Sequence, residues 1–417
     1  MNTKANRPDN NSPDAKHNGY GMGVSTLAVD ANRQLNQNQA VTEPIAISYT
    51  YPFGNSTGLS ELIELRQVGE SIPRQEGGRH ANPAVYAAEQ LIAGMENAAD
   101  AVLFSSGMAA TTTVMLTLLP GGSHVVLSEG CCPRTLQFCT DYLARLGVEY
   151  TVVPFGDYQA LEDAIRPETR LLFSESPANP YLRTLDLEKF VAVARKHKVV
   201  SFVDATFATP FNLRPADWGV DLVVHSATRY LGGHNDLLAG VVAGKSELIA
   251  SIKALLGIFG AKVDPGNASL LLRGIKTLGL RVTQHNLNGQ AVAEFLEAQP
   301  KVDRVWYPGL VSHPDHGTAV RQMRGFGGVV SFTVNGGLDP AAHFVDAMRL
   351  PLLAKSQGGV RSLVEQPVLL SDNGLSEQER LGHSIPENLV RLSLGIEDTD
   401  DLIADLGQAL DRLPASG

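Results

Sequence analysis

The hydrophobic pattern in the middle of the chain predicts two neighbouring strands. Apolar runs at 199–203 and 222–224 have the length and the β-branched content of buried parallel strands. Small polar residues follow each run, in the stretches DATFATP and HSATRYLGGHND. Ligands of open parallel sheets bind beyond the carboxyl ends of the strands. We therefore expect both loops to face one pocket.

Strand and helix patterns alternate along the rest of the chain. Residues 146–180 predict a strand, a helix and a strand, and DLEKFVAVARKHK predicts a crossover helix into the strand at 199–203. The 3.6-residue periodicity of LLLRGIKTLGLRVTQHNLNGQAVAEFLEAQP predicts one long helix. A strand, a helix and a strand follow it. This order favours an α/β fold with a large, mostly parallel sheet and a smaller second unit.

Composition and charge restrict the possible functions. A length of 417 residues favours two or three domains, and 43% hydrophobic with 19% charged residues is typical of a globular protein. A net charge of -10 without a Lys/Arg cluster predicts no nucleic-acid partner and no membrane surface. The polar first 20 residues lack the apolar core of a signal peptide and predict disorder. We expect a cytoplasmic protein.

Three cysteines, Cys131, Cys132 and Cys139, lie close together in the sequence. Their spacing fits neither a secreted disulfide framework nor paired zinc ligands. We expect reduced thiols and no metal site.

Four motifs together resemble the Cys/Met metabolism family of pyridoxal 5'-phosphate (PLP) enzymes, which includes cystathionine γ-synthase, cystathionine γ-lyase and methionine γ-lyase. They are SGMAA at 106–110, VDATFATP at 203–210, HSATRYLGGHND at 225–236 and NLVRLSLGIE at 388–397. The resemblance runs from about residue 24 to the carboxyl end.

The resemblance implies the PLP-dependent transferase fold type I, which is aspartate aminotransferase-like. It implies a mixed, mostly parallel seven-stranded sheet in a large domain and a smaller C-terminal α/β domain. The expected division is a disordered amino terminus and arm at 1–80, a PLP-binding domain at 81–279 and a small domain at 280–417. The family's arm, here 24–53, contacts a neighbouring subunit, so we expect a homotetramer built from two dimers.

The resemblance also assigns site residues. Asp204 is expected to pair with the pyridinium nitrogen of PLP, the alternative being a turn or helix cap. Backbone N–H groups at the helix start in SGMAA suit the phosphate. The alternative for the Ser226 and Thr228 hydroxyls is bonding to backbone. The expected cofactor-binding residues are Arg79, Ser106, Gly107, Met108, Cys132, Asn179, Asp204, Thr206, Ser226 and Thr228. The expected substrate-binding residues are Ser356, Gln357 and Arg391, with Arg391 as the clamp for a substrate carboxylate.

Several positions depart from the family pattern. The family's lysine in S-x-T-K-Y, which bonds covalently to the PLP aldehyde, is Arg229 here. A guanidinium does not provide the neutral amine that attacks a carbonyl. Gly77 replaces a tyrosine that reaches the phosphate, and Cys132 replaces the aromatic that stacks on the ring. Four further replacements lie in the segment bordering the substrate, at Gln357, Arg361, Gln366 and Asp372.

Three interpretations of Arg229 remain open. It marks a natural member that binds PLP or a PLP adduct without a covalent bond, an engineered trap in a normal lyase, or a fold relic with no cofactor. The competing functional class is a non-catalytic binding or regulatory protein. The several simultaneous departures favour natural divergence. Lys355 could be a substitute amine or simply a solvated surface lysine. Cys131 and Cys132 could be reactive thiols or inert small hydrophobic residues.

The resulting hypothesis is a PLP-dependent enzyme of sulfur amino-acid metabolism. It would act as a carbon–sulfur lyase or catalyse γ-replacement, with Asp204 and Arg229 as the catalytic positions. Its expected partners are an amino-acid substrate and further copies of the chain.

Overall fold

The computed structural model of the chain describes residues 22–30, 41–42, 44–48, 52, 55–57, 60, 82–370 and 385–413. The predicted disorder of the first 20 residues lies outside these ranges. So does much of the predicted arm at 24–53. Among the described helices, none has the combined length and apolar character that crossing a bilayer requires.

Helices of the described chain are numbered in chain order. They are α1 (Val24–Asp30), α2 (Pro83–Glu96), α3 (Gly107–Leu118), α4 (Pro133–Gln137), α5 (Tyr158–Asp163), α6 (Leu187–His197), α7 (Thr209–Asn212), α8 (Ser246–Phe259), α9 (Pro265–Ile275), α10 (Leu278–Glu297), α11 (His316–Gln322), α12 (Leu338–Ala347), α13 (Pro367–Leu370) and α14 (Thr399–Asp411).

The strands are β1 (Asp100–Phe104), β2 (His124–Ser128), β3 (Glu149–Val153), β4 (Thr169–Glu175), β5 (Val200–Asp204), β6 (Leu222–His225), β7 (Gly240–Gly244), β8 (Val302–Trp306), β9 (Val329–Val334), β10 (Leu352–Leu353), β11 (Leu363–Glu365) and β12 (Leu389–Ser393).

Two sheets organise the described chain. The larger has seven strands in the order β1-β7-β6-β5-β4-β2-β3, and only β7 runs antiparallel to its neighbours. The smaller has the order β10-β11-β12-β9-β8 and is antiparallel except for β10 with β11. The prediction of a mixed, mostly parallel seven-stranded sheet with a smaller C-terminal unit is confirmed.

The large sheet is covered by helices on both faces, as the alternation of side chains along a strand requires. In β1, Ala101 and Leu103 belong to a core shared with α2 and α9. The residues between them in the pattern, Val102 and Phe104, belong to a core shared with α3 and α8. The small sheet has its own core, packed against α10, α12 and α14.

The predicted single long helix is wrong: α9 ends at Ile275 and α10 begins at Leu278. Gly274 O, one of the last carbonyls of α9, accepts from the Arg281 guanidinium at 2.7 Å. The same guanidinium donates to Tyr230 O at 2.7 Å, and Arg281 is only 3% exposed. Because a tertiary donor satisfies the orphan carbonyls of the helix end, the break is stable although the periodicity continues across it.

Glu89 of α2 provides a test of the packing at the sheet edge. Its Oε1 accepts from the backbone N–H of Leu103 in the edge strand β1 at 2.9 Å, and Lys253 lies 3.9 Å from its Oε2. Burial raises the pKa of Glu89 to about 7. The stability that this carboxyl contributes is therefore complete below pH 4.5, its ordinary pKa, and is lost as the pH rises through about 7.

We predict that Glu89→Gln gains stability relative to the parent as the pH rises from about 5 to about 8, because the amide keeps the acceptor for Leu103 and does not ionise. The relative gain is at most about 3 kcal/mol. Urea midpoints measured across this pH range check it, with the exposed Glu188→Gln as the matched control. A difference between the Glu89 variant and the parent that does not change with pH contradicts the prediction.

Candidate active site

Two half-buried carboxyl groups lie side by side at the carboxyl edge of the large sheet. Asp204 ends β5 and Glu175 ends β4, and the two residues are partners in register. Burial raises the pKa of both carboxyls, and repulsion by Asp204 raises that of Glu175 further. A cation placed beside the pair would offset this penalty. The sequence analysis missed Glu175, which the acidic end of the apolar run LLFSE could have indicated.

Asp204 also has a local role. Its Oδ1 accepts from the backbone N–H of Thr206 at 2.8 Å, which is the turn-capping bond considered as the alternative. Thr206 Oγ1 in turn accepts from the backbone N–H of Ser226 at 2.8 Å. The loops after β5 and β6 therefore meet, as the two apolar runs predict.

The start of α3 lies against the loop after β6. Ser106 is the N-cap, and its hydroxyl accepts from Ala109 N at 3.0 Å. A Cβ on Gly107 would lie 2.9 Å from Ser226 Cβ, so only glycine allows this approach. The first turn of α3, which includes Met108, thus borders the same loop. Its free N–H groups and the helix dipole suit a phosphate.

Thr228 is already engaged with the backbone. Its hydroxyl donates to Ala239 O at 3.2 Å and accepts from Ala239 N at 3.0 Å. The predicted roles of Thr206, Ser226 and Thr228 as cofactor ligands stay predictions. The bonds of Thr206 and Thr228 show how these side chains fix the loop. Arg79, together with Gly77 and Asp372, lies outside the described residues.

Arg229 extends from this loop towards Ser356. Its Nη1 donates to Ser356 Oγ at 2.5 Å. The segment that carries Ser356 lies directly on the loop, because a Cβ on Gly358, at φ +79°, would come within 2.6 Å of the Tyr230 ring. Gln357 lies half-buried between them, whereas Lys355 is exposed.

Arg391 holds an internal carboxylate. Its Nη2 lies 2.6 Å from Glu365 Oε1, and both side chains are at most 5% exposed. The two residues face each other across the antiparallel pair β11 and β12. Arg391 Nη1 donates to the side-chain oxygen of Asn179. The role of Arg391 as a clamp for a substrate carboxylate stays a prediction. The sequence analysis missed its internal partner Glu365, although an acid within the buried run SLVEQP was a signal.

The two arginines are close enough to influence each other. Burial lowers the pKa of Arg229, and repulsion by Arg391 is the next largest cause. Cys132 and Glu365 oppose this decrease. Cys132 also lies at the carboxyl pair, because its backbone N–H donates to the Glu175 carboxylate. The described site residues thus converge: Cys132 lies beside the Asp204–Glu175 pair and also influences Arg229, which lies near the Arg391–Glu365 pair.

The residues present fit PLP except for a covalent bond to the chain. Asp204 and Glu175 suit the pyridinium nitrogen, and the start of α3 suits the phosphate. Asn179 accepts from Arg391, and the Cys132 N–H donates to Glu175. By the motif resemblance, Arg229 occupies the position where the amine is expected. When bound, PLP supplies an electron sink for reactions of amino acids.

The thiols at the site are held protonated. Burial raises the pKa of Cys132 to about 11, and Glu175 contributes. Burial also raises the pKa of Cys139 to about 12 and that of Cys131 well above its usual range. Because the thiolate is the nucleophile, this environment favours the inert interpretation of the cysteines.

We predict that iodoacetamide alkylates Cys132 roughly 10²-fold more slowly than it alkylates the thiol of glutathione at about pH 7.5, because so little of the Cys132 side chain is thiolate at that pH. The rate should rise about tenfold per pH unit towards pH 11. Peptide mass mapping over time measures it, and Cys132→Ala identifies the labelled peptide. Labelling of Cys132 as fast as that of glutathione near neutral pH would contradict the assignment.

Comparisons with known proteins agree with this geometry. A family profile described as Cys/Met metabolism PLP-dependent enzyme matches residues 25–411. Cystathionine gamma-synthase 1, chloroplastic, of Arabidopsis thaliana is 41% identical over 96% of this chain and 71% of its own length. L-methionine gamma-lyase of Pseudomonas putida is 41% identical over 80% of this chain and 84% of its own. The crystal structure of metB from Corynebacterium glutamicum superposes with a TM-score of 0.86 at 35% identity, covering 94% of this chain and 98% of that one. The chain belongs to the Cys/Met metabolism PLP-dependent enzymes, with pyridoxal 5'-phosphate as its cofactor.

Proposed function

We propose that this enzyme is a carbon–sulfur lyase or γ-replacement enzyme that holds PLP without a covalent bond to the chain. The observation that carries the proposal is the position of Arg229, whose guanidinium bonds to Ser356 beside Arg391 inside the site. The relatives named cystathionine gamma-synthase and L-methionine gamma-lyase support a sulfur-containing or γ-substituted amino acid as the substrate.

The chain's own residues have distinct tasks in this proposal. Asp204, with Glu175 beside it, keeps a proton on the ring nitrogen. The first turn of α3 binds the phosphate, and Asn179 and Arg391 orient the amino acid through its carboxylate. The amine that would usually move the Cα proton is absent at residue 229, so turnover is slow.

A non-catalytic binding protein is the second candidate. One observation favours it: Arg391, the expected substrate clamp, already holds the Glu365 carboxylate at 2.6 Å. A substrate carboxylate must therefore share this guanidinium with an internal acid.

We predict that Arg229→Lys forms a borohydride-reducible bond with PLP at residue 229 and gains a visible absorbance band. The restored amine should raise the release of ammonia or thiol from γ-substituted amino acids by about 10² to 10⁴, the usual contribution of a general base. Mass analysis after reduction locates the pyridoxyl group, and product assays measure the rate.

The parent should carry no pyridoxyl group after reduction. A group on Lys355 would overturn the proposal, and Lys355→Arg in both backgrounds controls for it. A lysine variant that binds no PLP would instead support the non-catalytic candidate.

We further propose a homotetramer. Large apolar side chains are exposed on two helices: Leu280 and Leu287, seven residues apart on α10, are 79% and 57% exposed, and Ile258 and Phe259 of α8 are 79% and 54% exposed. Seven residues separate positions on one face of a helix, so the two leucines form an apolar stripe.

We predict that the parent sediments as a tetramer at micromolar concentration and that the double change Leu280→Asp with Leu287→Asp dissociates it, because charges would be buried at a subunit contact. Analytical ultracentrifugation measures both. Val311→Asp, at an exposed apolar position after β8, is the control. A monomeric parent refutes the proposal, and a double variant that stays tetrameric refutes the place of the interface.

A further inference from the structure

We infer that Arg229 is a second carboxylate-binding residue. Arg229 and Arg391 together take the α-carboxylate of the amino-acid part of the ligand, and Glu365 is the internal counter-charge that sets the affinity. This inference rests on the proposed function and names what the site recognises. It assigns the guanidinium at position 229 a task that an amine at the same place would not perform.

The cluster formed by Arg229, Arg391 and Glu365 has one positive charge that no carboxylate of the cluster compensates. Glu365 pairs with Arg391 at 2.6 Å, whereas no carboxylate among the described residues lies within 4.0 Å of Arg229. The partner of Arg229 is the neutral Ser356 hydroxyl. Two guanidiniums therefore face one carboxylate in a largely buried site. Such an imbalance is costly unless an anion completes it.

Hydrogen-bond donors also remain available. Arg391 is 4% exposed, and its buried Nε–H has no acceptor in the described structure. Arg229 uses one of its five N–H donors on Ser356. A carboxylate offers two oxygens with several lone pairs, and guanidiniums bind such groups with charge-assisted hydrogen bonds. The ligand that fits both the charge and the donors is a monocarboxylate.

Arg281 shows what a purely structural guanidinium looks like in this protein. It lies in the same region and is 3% exposed. Its Nη1 donates to Tyr230 O, its Nη2 to Gly274 O and its Nε to Thr277 Oγ1, at 2.7, 2.7 and 3.1 Å. Among the residues that the structure describes, Arg229 has no comparable set of acceptors, and its guanidinium donates to Ser356. Its guanidinium is arranged for a ligand rather than for the fold.

Two stable probes isolate the carboxylate. N-(phosphopyridoxyl)-L-alanine carries it, and N-(phosphopyridoxyl)ethylamine is the same molecule without it. Neither can react with a side chain, so the ratio of their dissociation constants reports carboxylate recognition alone. We expect the alanine probe to bind the parent about 10- to 100-fold more tightly, the range for hydrogen bonds to charged groups. Isothermal titration calorimetry measures both.

The variants separate the two arginines and their counter-charge. Arg229→Gln should lower the ratio about tenfold, and Arg229→Lys should lower it as well, because lysine lacks the planar fork and burial beside Arg391 disfavours its charged form. Glu365→Gln should raise the ratio, because it removes the negative charge that competes for Arg391. Arg304→Gln, at an exposed position of β8, should leave it unchanged. Circular dichroism verifies folding, and if Glu365→Gln does not fold, the Arg229 series decides alone.

Each outcome has a distinct meaning. Equal affinity of the parent for the two probes overturns the inference while PLP binding stands. If Arg229→Gln leaves the ratio of the two dissociation constants unchanged, the carboxylate binds to Arg391 alone and the inference is also overturned. Failure of PLP and both probes to bind the parent refutes the proposed function itself.

Discussion

The site depends on the close packing of one loop, which follows β6, against three other parts of the chain. Gly107 lies against Ser226 on one side, and Gly358 lies on Tyr230 on the other. Between them Ser226 N–H donates to Thr206 in the loop after β5. Because two glycines pack directly on residues of this loop and a hydrogen bond fixes the third contact, the start of α3 and the segment before β11 have fixed positions relative to Asp204 and Arg229. A shift of any one segment would separate the two ends of the site.

The parts of the structure that follow from local pattern could be predicted from the sequence. The runs at 199–203 and 222–224 form β5 and β6, and the polar loops after them meet at one edge. Motif resemblance supplied the seven-stranded sheet. The break between α9 and α10 could not be predicted from periodicity, because the side chain that stabilises it also binds Tyr230 O, far away in the sequence. Tertiary partners of this kind leave no local signature.

The same distinction applies to the site. Asp204, Ser106 and Arg391 could be named as candidates because each belongs to a motif. Glu175 and Glu365 stand out only as acids in apolar runs. Their partners could not be predicted, because register across strands places one beside Asp204 and the other beside Arg391. The Asp204–Glu175 pair makes one end of the site acidic, and Arg229 adds one positive charge to the Arg391–Glu365 pair at the other end. A ligand with a cationic ring nitrogen at one end and a carboxylate at the other is complementary to that distribution.

The environment of residue 229 explains why lysine and arginine would act so differently there. Burial and the nearby Arg391 lower the pKa of the Arg229 side chain. The same two causes would lower the pKa of a lysine side chain at this position. They would thus favour its uncharged amine, which is the form that attacks a carbonyl. A guanidinium begins from a pKa above about 12 and stays charged under the same influence. One pocket therefore yields a nucleophile with lysine and a persistent cation with arginine. Arginine at this position therefore keeps a positive charge but provides no nucleophile. Its effect on function should accordingly lie in the binding of anions.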